Sequence, residues 1–140
     1  MRFVLDNSVV MRWLFGDGEQ AAIEYSNHIL DLLAQEENGA IIPCIWALEV
    51  GNVIVRAESR GLLPEARSAA FLGILQYMPI DIDARSNQQT LGDTLQLARR
   101  YKLSTYDASY LELALREGLA LATNDDALRK ALASAGGRLA

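Results

Sequence analysis

The sequence predicts an α/β fold, a three-layer α/β/α sandwich around a mostly parallel sheet, and three observations carry that expectation. Four short apolar runs, Arg2 to Leu5, Ala40 to Ile42, Pro79 to Ile82 and Leu119 to Ala122, are separated by longer amphipathic stretches, the alternation that builds α/β layers. The runs are apolar throughout rather than alternating, as in strands covered on both faces. With 140 residues, 51% hydrophobic and 22% charged, the chain has the material for one ordinary core, so residues 1–140 are read as one domain.

Arg2 to Leu5 is the first strand, and Asp6, Asn7 and Ser8 after it are residue types that turn the backbone or cap a helix. Phe15 to Glu19, with two glycines, is a loop. Glu19 to Glu36 places Ile23, Ile29, Leu30, Leu32 and Leu33 at helical spacing, mainly for the core, and leaves His28 on the solvent side. After the strand Ala40 to Ile42, a helix from Ile45 to Arg60 has a core stripe of Trp46, Val50, Val53 and Ala57, with Glu49, Asn52 and Arg56 on its border. Cys44, just before it, is expected to be a small buried thiol without a catalytic role.

Pro64 to Tyr77 is the next helix, Pro79 to Ile82 the third strand, and Asn87 to Tyr101 a further helix. In "STYDASYLELA", Ser104 and Asp107 match a capping box that opens a helix from Thr105 to Glu117. Asp107 there shares an apolar stripe with Tyr110, Leu111 and Ala114, whereas Ser109, Glu112 and Arg116 are expected on an exposed polar face. After the strand Leu119 to Ala122, Thr123 and Asp126 match a second capping box, before a helix from Asp126 to Ala135.

One cysteine and one histidine exclude an internal disulfide framework and a thiolate or imidazole metal centre, so a metal here needs oxygen ligands. No long hydrophobic segment and no signal-type leader is present, which predicts a cytoplasmic protein with no membrane contact. A net charge of -5 argues against generic charge-driven nucleic-acid binding. Four carboxylates neutralised on a cation would leave the remainder almost neutral, and Arg12, Arg56, Arg60, Arg99 and Arg100 are available for a local basic rim.

Three aspartates, Asp6, Asp107 and Asp125, are read as falling at strand-to-helix transitions, and Glu49 lies on a helix that follows a strand. Each singly has a structural explanation as a cap, a turn residue or a surface acid. Jointly they are expected at the rim where the carboxyl ends of parallel strands gather ligands. Four like charges crowded there repel one another, and a divalent cation resolves the conflict. All-oxygen ligation points to magnesium or manganese, as one or two ions, and to metal-assisted phosphodiester hydrolysis without a serine or histidine nucleophile system. Asp126 is assigned to the second capping box, which leaves Asp125 as the acid without a local duty.

"VLDNS", "ALEVGNV", "LSTYDASYLELA" and "LALATNDDAL" together resemble a PIN domain over essentially the whole chain, most like the VapC-type toxins of toxin–antitoxin pairs. The resemblance implies a magnesium- or manganese-dependent endoribonuclease with Asp6, Glu49, Asp107 and Asp125 as its acidic metal site. Ser8 and Thr123 become supporting polar residues and Asn52 a residue backing Glu49. It further implies an RNA substrate, a homodimer, and a small antitoxin that covers the acidic cleft. The neighbouring Asp125 and Asp126 depart from a clean pattern: the motif selects Asp125, while either acid can bind through water.

Two other readings fit parts of the sequence. A haloacid-dehalogenase-like phosphatase would use Asp6 as nucleophile and Asn124, Asp125 and Asp126 near its metal, but it wants a well-placed lysine and leaves Glu49 idle; Lys102 and Lys130 are the only lysines. A non-catalytic interaction module would use an ion only to fix the fold. A phosphoacceptor domain would need Asp81 or Asp83 at a middle strand, and these are better read as marking a strand end or loop.

Overall fold

The structure is a computed structural model that describes residues 1–140. Strands β1 (Arg2–Leu5), β2 (Gly39–Ile42), β3 (Ile80–Ile82) and β4 (Ala120–Ala122) form one sheet in the order β3-β2-β1-β4, with every neighbouring pair parallel. Parallel neighbours need long crossovers, and helices supply them. Helices α1 (Asn7–Phe15) and α2 (Gln20–Leu33) join β1 to β2, and α3 (Ile45–Ser59) and α4 (Glu65–Leu75) join β2 to β3. Helices α5 (Ser86–Gln89), α6 (Asp93–Tyr101) and α7 (Thr105–Glu117) lead to β4, and α8 (Asp126–Ser134) follows. No helix is long and apolar enough to cross a membrane.

The central strand β1 shows why the runs do not alternate. Phe3, Val4 and Leu5 are all completely buried, so both of its faces lie against other elements, and Ala120, Leu121 and Ala122 of β4 are nearly so. Burying side chains on both faces at about 25 cal/mol per Å² is the main favourable contribution here. Strand β3 is the open edge, and there Asp81 and Ile82 are exposed.

The strand order fixes where the site can lie. From β1 the chain moves to β2 and β3 on one side, then returns to place β4 on the other side of β1. The gap beyond the carboxyl ends of β1 and β4 is therefore the topological switch point, where crossovers diverge and leave a crevice.

Four local expectations are corrected. Helix α1 was not expected; Val9, Val10, Met11 and Leu14 are all buried, so Asn7–Phe15 has too little polar face to display a helical period. The helix expected from Asn87 to Tyr101 is two, α5 and α6, separated around Gly92, whose backbone (φ -108, ψ -108) lies outside the helical region. Cys44 is exposed at the N-cap of α3 rather than buried.

Glu112 is the fourth. It is 3% exposed, because α7 is covered on the side away from β1 and β4 by α5 and α6. Arg116 donates to Glu112 Oε1 at 2.7 Å and to Asp83 Oδ2 at 2.6 Å, so the expected polar face is an enclosed ion network. Ser86 Oγ also donates to Asp83, at 2.6 Å. Burial pushes the Asp83 carboxyl up, but the bonds from Arg116 and Ser86 and the guanidinium charge outweigh it and hold the group below the usual range.

Candidate metal centre

Asp6 follows β1, and its N–H donates to Ala122 O at 2.9 Å, prolonging the β1–β4 ladder by one bond. Its backbone occupies the N-cap position of α1, but its carboxylate caps no helical N–H. Instead Oδ2 accepts from Ser8 Oγ at 2.6 Å and from Thr123 Oγ1 at 2.7 Å. Ser8 Oγ in turn accepts the N–H of Asn124 at 2.9 Å, so hydroxyl bonds tie the two strand ends together around one carboxylate. Asp6 is 4% exposed. Burial pushes its carboxyl up against the opposing pull of the two hydroxyls, and the charge of Asp125 adds to the rise.

Glu49 lies in the second turn of α3, where Tyr110 Oη donates to its Oε1. Tyr110 is wholly buried on α7. Burial raises the Glu49 carboxyl, the tyrosine bond opposes this, and the charges of Asp6 and Asp107 push it higher. Asp107 is the third residue of α7, which follows α6 rather than a strand as expected, and its N–H donates to Ser104 Oγ at 3.0 Å as the capping pattern predicts. Its own carboxyl is nonetheless pushed up to about 6, first by burial and then by the charges of Asp125 and Asp6.

The second capping box is corrected. Asp125, not Thr123, is the N-cap of α8, and its Oδ2 accepts the Leu128 N–H at 2.8 Å. Thr123 is committed to Asp6 and to the Asp125 N–H, which reaches its Oγ1 at 3.0 Å. Asp125 thus has a local duty that the sequence reading denied it, yet its charge still bears on Asp6 and Asp107. Asp126 is exposed in the first turn of α8 and is not among the charges that shift the other acids.

The charge of Asp125 bears on Asp6 and Asp107, and those of Asp6 and Asp107 bear on Glu49, so the four acids lie near one another around the switch point. None of them has an ion-pair partner; the six ion pairs of the chain all lie elsewhere. No three of these groups converge closely enough to clasp a bare ion directly. Asn52 stands exposed beside Glu49, whose partner is Tyr110 instead. Sequence reasoning placed Tyr110 in the core and missed this bond, although a buried tyrosine hydroxyl always raises the question of its acceptor. It also passed over Asn7, which is buried with a carboxamide oxygen that has no hydrogen-bond partner.

The raised carboxyls make a pH prediction for the protein in chelator. Asp107 sits near 6 folded against an ordinary 3.8, so the folded state binds its proton more tightly. Its stabilising contribution is complete below the ordinary value and is lost as pH rises through about 6. Urea unfolding of Asp107→Asn should lose this dependence and, near neutral pH, exceed the parent stability by roughly 1–2 kcal/mol after allowing for solvent screening at a half-buried group. A variant that is less stable at neutral pH would mean that the carboxylate is compensated in solution.

A solved structure titled as PAE2754 from Pyrobaculum aerophilum is similar to this chain, with a TM-score of 0.65 and 22% identity, covering 94% of this chain and 79% of that one. At that identity the likeness is one of fold. No curated protein matches the chain. The PIN-domain profile matches residues 3–132, from β1 into α8. The chain belongs to the PIN-domain family, whose members are generally metal-dependent nucleases.

Proposed function

We propose that this chain is a magnesium- or manganese-dependent endoribonuclease and the toxin of a type II toxin–antitoxin pair. One observation carries the nuclease reading: four carboxylates from separate parts of the chain lie within reach of one another's charge around the switch point, with no basic partner. Asp6, Glu49, Asp107 and Asp125 would hold the ion, and Asp126 is left out because of its exposed place on α8. The donors fit: they are all oxygen, and a hard cation that keeps several waters suits acids that do not themselves close on one point. Bound there, the ion supplies Lewis-acid activation of water and charge stabilisation at the leaving oxygen of a phosphodiester.

The chain's own residues set up that chemistry. Ser8 and Thr123 fix the Asp6 carboxylate through its Oδ2, and Tyr110 fixes Glu49 through Oε1. Asp107, near 6, is mostly ionised at neutral pH and protonated in mild acid, so metal affinity should fall as pH drops through that value. A phosphatase with Asp6 as nucleophile is disfavoured by the lysines: Lys102 is the left-handed C-cap of α6, and Lys130 is exposed on α8. The toxin reading rests on the VapC-like order of motifs and on an acidic crevice that a basic side chain from an antitoxin would complement; a homodimer belongs to the same reading.

The test incubates the chain with single-stranded RNA in magnesium or manganese, with a chelator arm and a phosphomonoester arm. RNA cutting that chelator stops, with no phosphomonoester turnover, supports the nuclease. Cutting that persists in chelator removes the metal mechanism, and phosphomonoester turnover alone restores the phosphatase. Expression of the intact chain should arrest growth, and co-expression of a small adjacent reading frame should relieve it; growth without arrest counts against the toxin role.

A further inference from the structure

A second cleft, of about 380 Å³, opens directly beside the acids, walled by Asn7, Leu48, Glu49, Asn52, Val53 and Tyr106. Each wall is tied to the metal centre: Asn7 is bonded in sequence to Asp6, Tyr106 to Asp107, and Glu49 belongs to both sites. The Tyr106 ring is 57% exposed at the start of α7, and Leu48 on α3 is 72% exposed. An exposed aromatic ring and an exposed leucine make an apolar slot, while the two asparagines are the side-chain type that pairs with base edges.

Asn7 is the most buried of the residues that wall the cleft. It is 8% exposed, and its carboxamide oxygen is closed off without a hydrogen-bond partner. That oxygen is sealed from the cleft, and the carboxamide N–H2, which is not so enclosed, is the group a ligand there can reach.

We propose that this cleft is a nucleobase subsite: one unstacked base flanking the scissile phosphate lies against the Tyr106 ring and accepts a hydrogen bond from the Asn7 carboxamide N–H2, with Asn52 at its outer edge. The assignment rests on the nuclease reading above. A base is favoured over a protein side chain because a phosphodiester brought beside the acids by a bound cation would carry a nucleoside on either side, and this is an adjoining slot with an aromatic face. The subsite contributes binding and base preference; the acids contribute the chemistry.

The test measures KM and kcat for cutting short single-stranded RNA, together with the fluorescence of RNAs carrying 2-aminopurine at each position in turn. Tyr106→Leu should raise KM about tenfold with kcat within about twofold, and should abolish quenching at one position; Tyr106→Phe should retain both. The exposed position makes either variant safe for folding. RNA still cut by Tyr106→Leu with unchanged KM and quenching overturns the subsite and leaves the nuclease standing, whereas a wild-type chain that cuts no RNA overturns both. Equal losses in the leucine and phenylalanine variants overturn stacking in favour of the hydroxyl. Dissociation of a dimer by Tyr106→Leu, with RNA quenching intact, reassigns the cleft to a protein contact.

Discussion

Asp6→Asn is expected to cut metal-dependent RNA hydrolysis by about a thousandfold, equivalent to roughly 4 kcal/mol of transition-state stabilisation. Asp6 is the most enclosed of the four acids, and its Oδ2 is already engaged by Ser8 and Thr123. An asparagine oxygen can accept the same two hydroxyl bonds, so packing is retained while the charge that faces the ion is removed. In chelator the variant should be at least as stable as the parent, because burial and the Asp125 charge both disfavour the native carboxylate. Single-turnover cleavage read beside thermal unfolding separates these effects. Activity within about threefold of the parent would return Asp6 to a purely structural role between the strand ends.

Arg116→Met should produce the largest loss of stability, about 3–5 kcal/mol, the range for breaking a buried ion pair from one side. The guanidinium bonds Glu112 and Asp83, which are 3% and 8% exposed, and also reaches Glu117 Oε1 at 2.9 Å. Its own proton is held more firmly than usual by the bonds to Glu112 and Asp83. Methionine fills much of the volume but leaves two carboxylates in the interior without a counter-charge. Because Asp83 is held below its ordinary value, its stabilising contribution is present above that value and disappears as pH falls through the lower folded one. The deficit of the variant should accordingly shrink in acid. Urea titrations at several pH values check this, and adding Glu112→Gln and Asp83→Asn should recover part of the loss. A pH-independent deficit would implicate packing rather than charge.

The parts of the fold legible from sequence were those with a local signal. All four strands, Arg2–Leu5 among them, stand within a residue of the apolar runs; for β1, β2 and β4 that is because a run buried on both faces is visible without any partner, whereas β3, exposed at Asp81 and Ile82, was marked by Pro79 before it. Thr105–Glu117 was legible because Ser104 marks its start and Gly118, at φ 65, its end. Helix α1 was hidden by its own burial, and the enclosure of Glu112 depends on where α5 and α6 settle, which no residue within α7 announces. Asp6, Asp107 and Asp125 were legible as candidates because each lies at an identifiable element boundary, and Glu49 because it borders the apolar stripe of a helix that follows a strand. Which hydroxyl holds which acid was not: the Thr123 bond to Asp6 spans 117 residues, and the Tyr110 bond to Glu49 spans 61.

The position of β4 next to β1 has a consequence for biosynthesis. Phe3 and Ala120 are ladder partners, so the first strand made acquires its second neighbour only after most of the polypeptide has been synthesised. Such sequence-distant pairing carries a large loop-closure cost and forms late. While synthesis is under way Asp6 lacks Thr123 and Asp125, so the hydroxyl bond and the neighbouring charge that define its surroundings are acquired only by the nearly finished chain.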